Sequence, residues 1–256
     1  MPDTGHIILI AEGTSDPRVA QGFLTRAIQE LDAFVDLSWI VWRGLEAGTD
    51  FLPWHRAKSL AKERRIQIRG RFRDADGLMI ENTDEKAVDV RRALNLCDFF
   101  FQEVGKPLAV LMFFDSDGKP ERLDGAKQAR TDHAHSRPEY EVILGMAHPC
   151  REAWLVCAFQ AEHEAEKNLL ETLQKELSFH PCREPERLNT AREHPRNAKT
   201  VLSRLTSESL EREQAILEKA DFAHLQTHGK DCGLADFLEE VKEKLAPLLG
   251  VKHDRP

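Results

Sequence analysis

Hydrophobic residues follow two kinds of pattern along the first 150 positions. Nearly unbroken apolar runs occur at 6–11, 37–42, 108–114 and 140–147. Short runs of this kind suit strands buried on both faces of a sheet. Between them, apolar residues recur every three or four positions. Val19, Phe23, Leu24, Ile28 and Leu31 do so within 16–34, and Val88, Ala93, Leu96, Phe99 and Phe100 within 84–104. That spacing lays them on one face of a helix. A helix over 53–64 and a short strand at 66–68 are predicted after the turn residues Gly44 and Gly48. Gly105-Lys106-Pro107 ends the 84–104 helix with a glycine and then a proline. The stretch 116–139 is polar without periodicity and is expected to be a mobile loop.

From 150 onward the pattern is helical: 150–159, 162–177, 197–205, 207–220 and 234–249, the last starting after Gly233. Strands alternating with helices predict an α/β fold with a mostly parallel sheet flanked by helices, followed by an α-helical C-terminal extension. The expected organisation is an α/β core over 1–150, with an insertion near 44–83, and the helical extension over 151–256. No internal repeat or low-complexity segment interrupts this plan.

A chain of 256 residues can bury a sizeable core without covalent staples. Its five cysteines, Cys97, Cys150, Cys157, Cys182 and Cys232, form an odd set without C-x-x-C spacing, and no basic stretch with a long apolar run opens the sequence. Reduced thiols and a cytoplasmic location are expected. The longest apolar run, 107–114, is too short to span a bilayer, so no membrane partner is expected. A formal charge of −8 argues against a general coat for nucleic acid. Its distribution changes that picture. Arg56, Lys58, Lys62, Arg64, Arg65, Arg69, Arg71 and Arg73 stand against the single acid Glu63, a local stripe suited to a polyanion.

The chemistry concentrates where apolar runs end in acids. Ile7-Ile8-Leu9-Ile10-Ala11 leads into Glu12-Gly13-Thr14-Ser15-Asp16, and Leu111-Met112-Phe113-Phe114 into Asp115-Ser116-Asp117-Gly118. Parallel strands deliver such residues to the carboxyl edge of an α/β sheet, where ligands bind. Two aspartates spaced D-x-D at a strand end can reach one cation. Hard oxygen donors suit Mg²⁺ or Mn²⁺, which polarises a phosphoryl oxygen and activates water. The three acids converge only if the runs at 6–11 and 108–114 are neighbouring parallel strands.

Strand-Glu-Gly-x-x-Asp followed by strand-Asp-x-Asp resembles the TOPRIM domain of topoisomerases, primases and the nucleases of the overcoming-lysogenization-defect type. The resemblance covers roughly 6–150. It implies acid/base chemistry or metal ligation for Glu12, Mg²⁺ ligation for Asp115 and Asp117, and a second-metal role for Asp16. Glu152, in a Glu-Ala-Trp segment similar to that of standalone TOPRIM-like proteins of bacterial defence, is implied as a further metal ligand. Lys199 is expected to steady the transition-state phosphate as a point charge. The gap between Glu12 and Asp115 is longer than the compact family pattern, which places an insertion between them.

Topoisomerase chemistry lacks a suitable nucleophile, since the one tyrosine, Tyr140, opens a predicted strand. Neither G-x-x-x-x-G-K-[ST] nor G-x-G-x-x-G is present, so NTP hydrolysis falls to an ATPase partner. The preferred expectation is a metal-dependent endonuclease cutting DNA or structured RNA, an effector of bacterial anti-phage defence. Glu12, Asp115, Asp117 and Lys199 are its catalytic residues, and Arg64, Arg65, Arg69, Arg71 and Arg73 contact the backbone. Self-association into a homo-oligomer stays open. Two alternatives also stay open: a haloacid-dehalogenase-like phosphatase using Asp115, whose D-x-D-G loop looks similar, and a non-catalytic TOPRIM-like subunit of an ATPase complex. His133 and His135, spaced H-x-H beside Asp132, are read as polar-loop residues before a metal pair.

Overall fold

Gly5–Ala11 forms strand β1, and its residues Ile7 to Ala11 are at most 1% exposed in the computed structural model of the chain. The structure describes residues 5–66, 72–73, 79–80, 85–119, 121–136 and 140–251. β1 pairs in parallel with β2 (Ile40–Arg43), with β3 (Leu52–Pro53) and with β6 (Ala109–Asp115). Its register against β6 runs from Ile7↔Ala109 to Ile10↔Met112. The strand order β2-β1-β6-β7, with β7 at Glu141–Ala147 and β3 beside β1, makes a five-stranded sheet flanked by helices in a mixed α/β fold. β6 is apolar through Phe114 and fully buried over Ala109–Phe114, as a strand covered on both faces must be. A short antiparallel pair, β4 (Phe72–Arg73) and β5 (Met79–Ile80), stands apart from this sheet.

The chain falls into two compact units. The first comprises Met1–Pro17, Asp36–Phe113 and Pro120–Leu144, and the second Arg18–Val35, Phe114–Lys119 and Gly145–Pro256. In the first unit, α2 (Trp54–Glu63) and α3 (Glu85–Val104) form where helical spacing predicts them. The expected strand at 66–68 lies largely outside the described residues.

The expected loop over 116–139 is instead helix α4, Glu121–Ser136. Its buried stripe consists of Ala126, Ala129 and His133, at helical spacing but without large side chains, so hydropathy alone does not reveal it. Glu121 and Asp124 in its first turn complement the helix dipole. α4 is tied to α3 by polar bonds. Asp98 accepts hydrogen bonds from Tyr140 Oη at 2.8 Å and lies 3.0 and 3.1 Å from His133 Nε2, while Arg91 pairs with Asp132. His135 turns to the Thr131 carbonyl at 2.7 Å, so the two histidines face different partners. Asp98→Ala leaves Tyr140 and His133 without this buried acceptor and is expected to cost about 2–4 kcal/mol in urea unfolding. A loss below about 1 kcal/mol would show that the network does not hold α4.

The second unit contains α1 (Asp16–Leu31) from Arg18 onward and the helices α5 (Arg151–Ala158), α6 (Glu164–Leu177), α7 (Ala198–Thr206), α8 (Leu210–Lys219), α9 (Phe222–His228) and α10 (Leu234–Lys244). Trp154 of α5 is its centre. The fully buried indole lies edge-on to Phe23 at 5.8 Å, tilted against Phe237 at 5.2 Å, and donates through Nε1 to the Cys232 carbonyl at 2.7 Å. Gly233 follows with φ +82, and a Cβ there would lie 2.5 Å from the Met146 carbonyl oxygen, so the position requires glycine. Among the described residues no helix is long and apolar enough to cross a membrane.

Candidate functional site

β1 ends at Ala11, and the chain turns at once into α1. Asp16 makes that turn: its Oδ2 accepts the Gly13 N–H at 2.6 Å and the Glu12 N–H at 3.1 Å, and its side chain is buried. The sequence offered Asp16 as a metal ligand, and the structure places one of its oxygens on the turn itself. Glu12 points elsewhere. Its Oε1 meets the ammonium of Lys86 at 2.9 Å, and Lys86 lies 4.9 Å from the centre of the Trp54 ring. Trp54 is fixed in turn by a hydrogen bond from Nε1 to the Phe113 carbonyl at 2.9 Å. Sequence reasoning missed Lys86. The clue is its position on the buried stripe Lys86, Val90, Ala93, Cys97 of α3, where a lysine is out of place unless paired.

The strand condition set by the sequence is met, because β1 and β6 are parallel neighbours. In the second unit, β6 ends in Asp115 and the D-x-D segment is zipped to residues 147–151. The Ser116 N–H donates to the Ala147 carbonyl at 2.9 Å, the Asp117 N–H to the Pro149 carbonyl at 3.1 Å, and the Arg151 N–H to Asp115 Oδ1 at 2.8 Å. Ser116, fully buried, lies 2.7 Å through Oγ from His148 Nδ1. Asp117 and Gly118 both adopt positive φ, +49 and +74, a tight left-handed turn that leaves Asp117 exposed. Burial holds the His148 imidazole below its usual pKa.

Arg151 joins two carboxylates. Its backbone N–H holds Asp115, and its Nη2 lies 3.1 Å from Oε1 of Glu152. Glu152 is 3% exposed; the Cys150 thiol hydrogen-bonds to its carboxylate, and among the described residues its Oε2 meets no nitrogen or oxygen donor. A buried carboxylate oxygen without such a donor is costly unless water or a cation meets it. The Cys150 thiol is pushed far up by burial and then by the negative charge of Glu152 and Asp115, which puts both acids around one buried sulfur. Lys199, three-quarters exposed at the start of α7, brings its ammonium to 3.9 Å from Glu152 Oε1. Ser116, His148 and Arg151 escaped the sequence reading because their roles depend on two loops meeting.

Among the described residues no three or more His, Cys, Asp and Glu side chains are grouped to hold a metal ion. Mg²⁺ does not demand such a cage, since it binds through one or two carboxylates and keeps waters and substrate phosphate. Asp115, Asp117 and Oε2 of Glu152 are hard donors of the right chemistry, and they fit that mode.

The basic stripe lies only partly within the described residues. Arg56 is forked between Glu46 and Glu63, at 2.5–3.1 Å, and Arg64 lies over the rings of Phe100 and Phe99 at 4.9 and 5.6 Å. Arg65 takes a positive φ of 55 just after α2. Arg69 and Arg71 lie outside the described residues, and of Arg73 only the backbone, in β4, is described. Comparison with protein-family models, with curated proteins and with solved structures yields no match.

Proposed function

We propose that this chain is a Mg²⁺- or Mn²⁺-dependent, TOPRIM-like nuclease that hydrolyses phosphodiester bonds in DNA or structured RNA. The observation that supports this most is the pair Asp115 and Glu152, both held by Arg151, with one buried carboxylate oxygen that meets no nitrogen or oxygen donor among the described residues. When bound, a hard divalent cation supplies Lewis-acid polarisation of a phosphoryl oxygen. The protein's own groups do the rest. The Arg151 N–H fixes the orientation of Asp115, the left-handed turn presents Asp117 to solvent, and the exposed ammonium of Lys199 offers positive charge to a phosphate.

The role of an anti-phage effector working with an ATPase partner belongs to the same proposal and rests on the motif resemblance alone. The hydrolytic reading is tested by incubating the purified chain with supercoiled DNA and with total tRNA in Mg²⁺, Mn²⁺ or chelator. Metal-dependent cleavage of either polymer supports the reading, and intact polymers under all conditions sink it.

Glu12 enters this proposal through the order of the strands and its motif. General acid–base groups contribute about 10²–10⁴-fold, so Glu12→Gln is expected to slow cleavage by at least about 10²-fold. A wild-type rate in Glu12→Gln would remove Glu12 from the chemistry.

A further inference from the structure

Residues 189–198 of the second unit form a loop closed upon itself. The Asn189 N–H donates to the Arg196 carbonyl at 2.7 Å, and the Ala198 N–H returns to the Asn189 carbonyl at 2.8 Å. Buried Asn197 ties the inside, donating through Nδ2 to the carbonyls of Ala191 at 3.0 Å and Thr190 at 3.3 Å, and it caps α7 by accepting the Thr200 N–H. The outer residues 190–195 are exposed.

Charge on this loop is unbalanced. From 188 to 199 the residues Arg192, Arg196 and Lys199 stand against Glu193 alone. Arg192 and Arg196 make no ion pair among the described residues, in contrast to Arg187, which is tied to Glu184 at 2.6 Å, and to Arg56 of the first unit. Arg196 lies over Phe179 at 5.3 Å, which steadies the guanidinium without consuming its charge. The loop runs directly into α7, where Lys199 reaches toward Glu152.

We propose that the 189–199 segment is the surface that receives the phosphodiester backbone of a nucleic acid beside Glu152, with Arg192 and Arg196 each on one phosphate. This rests on the nuclease reading above. Unpaired arginines on a pre-ordered loop gain phosphate contacts by releasing counterions from the polymer, with little ordering to offset. On a chain of charge −8, contact with a polyanion needs such a local site.

The test uses the full chain carrying Asp115→Ala, so that bound polymer survives, and measures affinity for duplex DNA, single-stranded DNA and tRNA across salt concentrations. Arg192→Ala with Arg196→Ala is expected to flatten the slope of log affinity against log salt by about 1.8 on duplex DNA and about 1.4 on a single strand. The paired Arg→Lys variant restores it. The three polymer arms show which nucleic acid is taken. An unchanged slope, an equal loss in the Ala and Lys variants, or the absence of salt-dependent binding to any polymer overturns the proposal. Cleavage by the chain with Asp115 intact is scored separately. Cleavage with an unchanged slope removes this surface and keeps the hydrolytic reading; a flattened slope without cleavage does the reverse.

Discussion

Asp115→Ala combined with Asp117→Ala is expected to reduce Mg²⁺-dependent cleavage by about three orders of magnitude, with the loss falling on kcat. Asp115 is the last residue of β6, and its Oδ1 is held by the Arg151 N–H, so its carboxylate has a fixed direction. Asp117 stands on a turn whose backbone is pinned to the Pro149 carbonyl. Substitution by alanine removes two carboxylates and the acceptor of the Arg151 N–H, a cost of about 1 kcal/mol, while the backbone bonds of Ser116 and Asp117 remain. The variant should therefore keep its helical circular dichroism and melt within a few degrees of the unaltered chain. Residual cleavage within about tenfold of the original rate would remove the D-x-D acids from the chemistry. Trapping of a phospho-aspartate at Asp115 would redirect the reading to a phosphatase that uses this residue as nucleophile.

Trp154→Ala is expected to be the most destabilising single change in the second unit, by about 3–5 kcal/mol, with Tm lowered by roughly 10 °C. The indole is fully buried between Phe23 and Phe237, so its deletion opens a cavity lined by two rings that cannot both collapse into it. The Cys232 carbonyl also loses its donor, adding a desolvated acceptor to the cost. Trp154→Phe separates the two effects, because it retains most of the volume and loses the N–H. Denaturant melts monitored by circular dichroism decide it: a loss under about 1.5 kcal/mol for Trp154→Ala would show that the site repacks.

β1, β6 and β7 were legible because burial on both faces of a sheet leaves an unbroken apolar run, and α1 and α3 because their apolar residues recur at helical spacing. α4 was not, since helix formation there depends on alanines and one buried histidine, whose hydropathy resembles that of a loop. α9 was hidden in the same way: seven residues capped by Asp221, which accepts the Ala223 and His224 N–H groups, are too few to show a period. At the candidate site, the acids that end strands were visible from sequence. Their partners were not. Lys86 lies 74 residues from Glu12 and Arg151 lies 36 from Asp115, and no local pattern encodes a meeting across such separations. The partners within the basic stripe were hidden for a related reason, because a run of arginines does not record which acids and rings each one meets.

The five cysteines give the chain a built-in reporter of its own opening. All are buried; burial raises the thiol pKa of Cys97 and Cys150 strongly and that of Cys182 to about 12, and a hydrogen bond with Cys232, then burial, raises that of Cys157, so little thiolate is present at these four in the native state. Cys97 belongs to the first unit and the other four to the second. Pulsed alkylation followed by peptide mass measurement thus reads the two units on separate residues, and the order of modification tells whether they come apart in one cooperative step or in two.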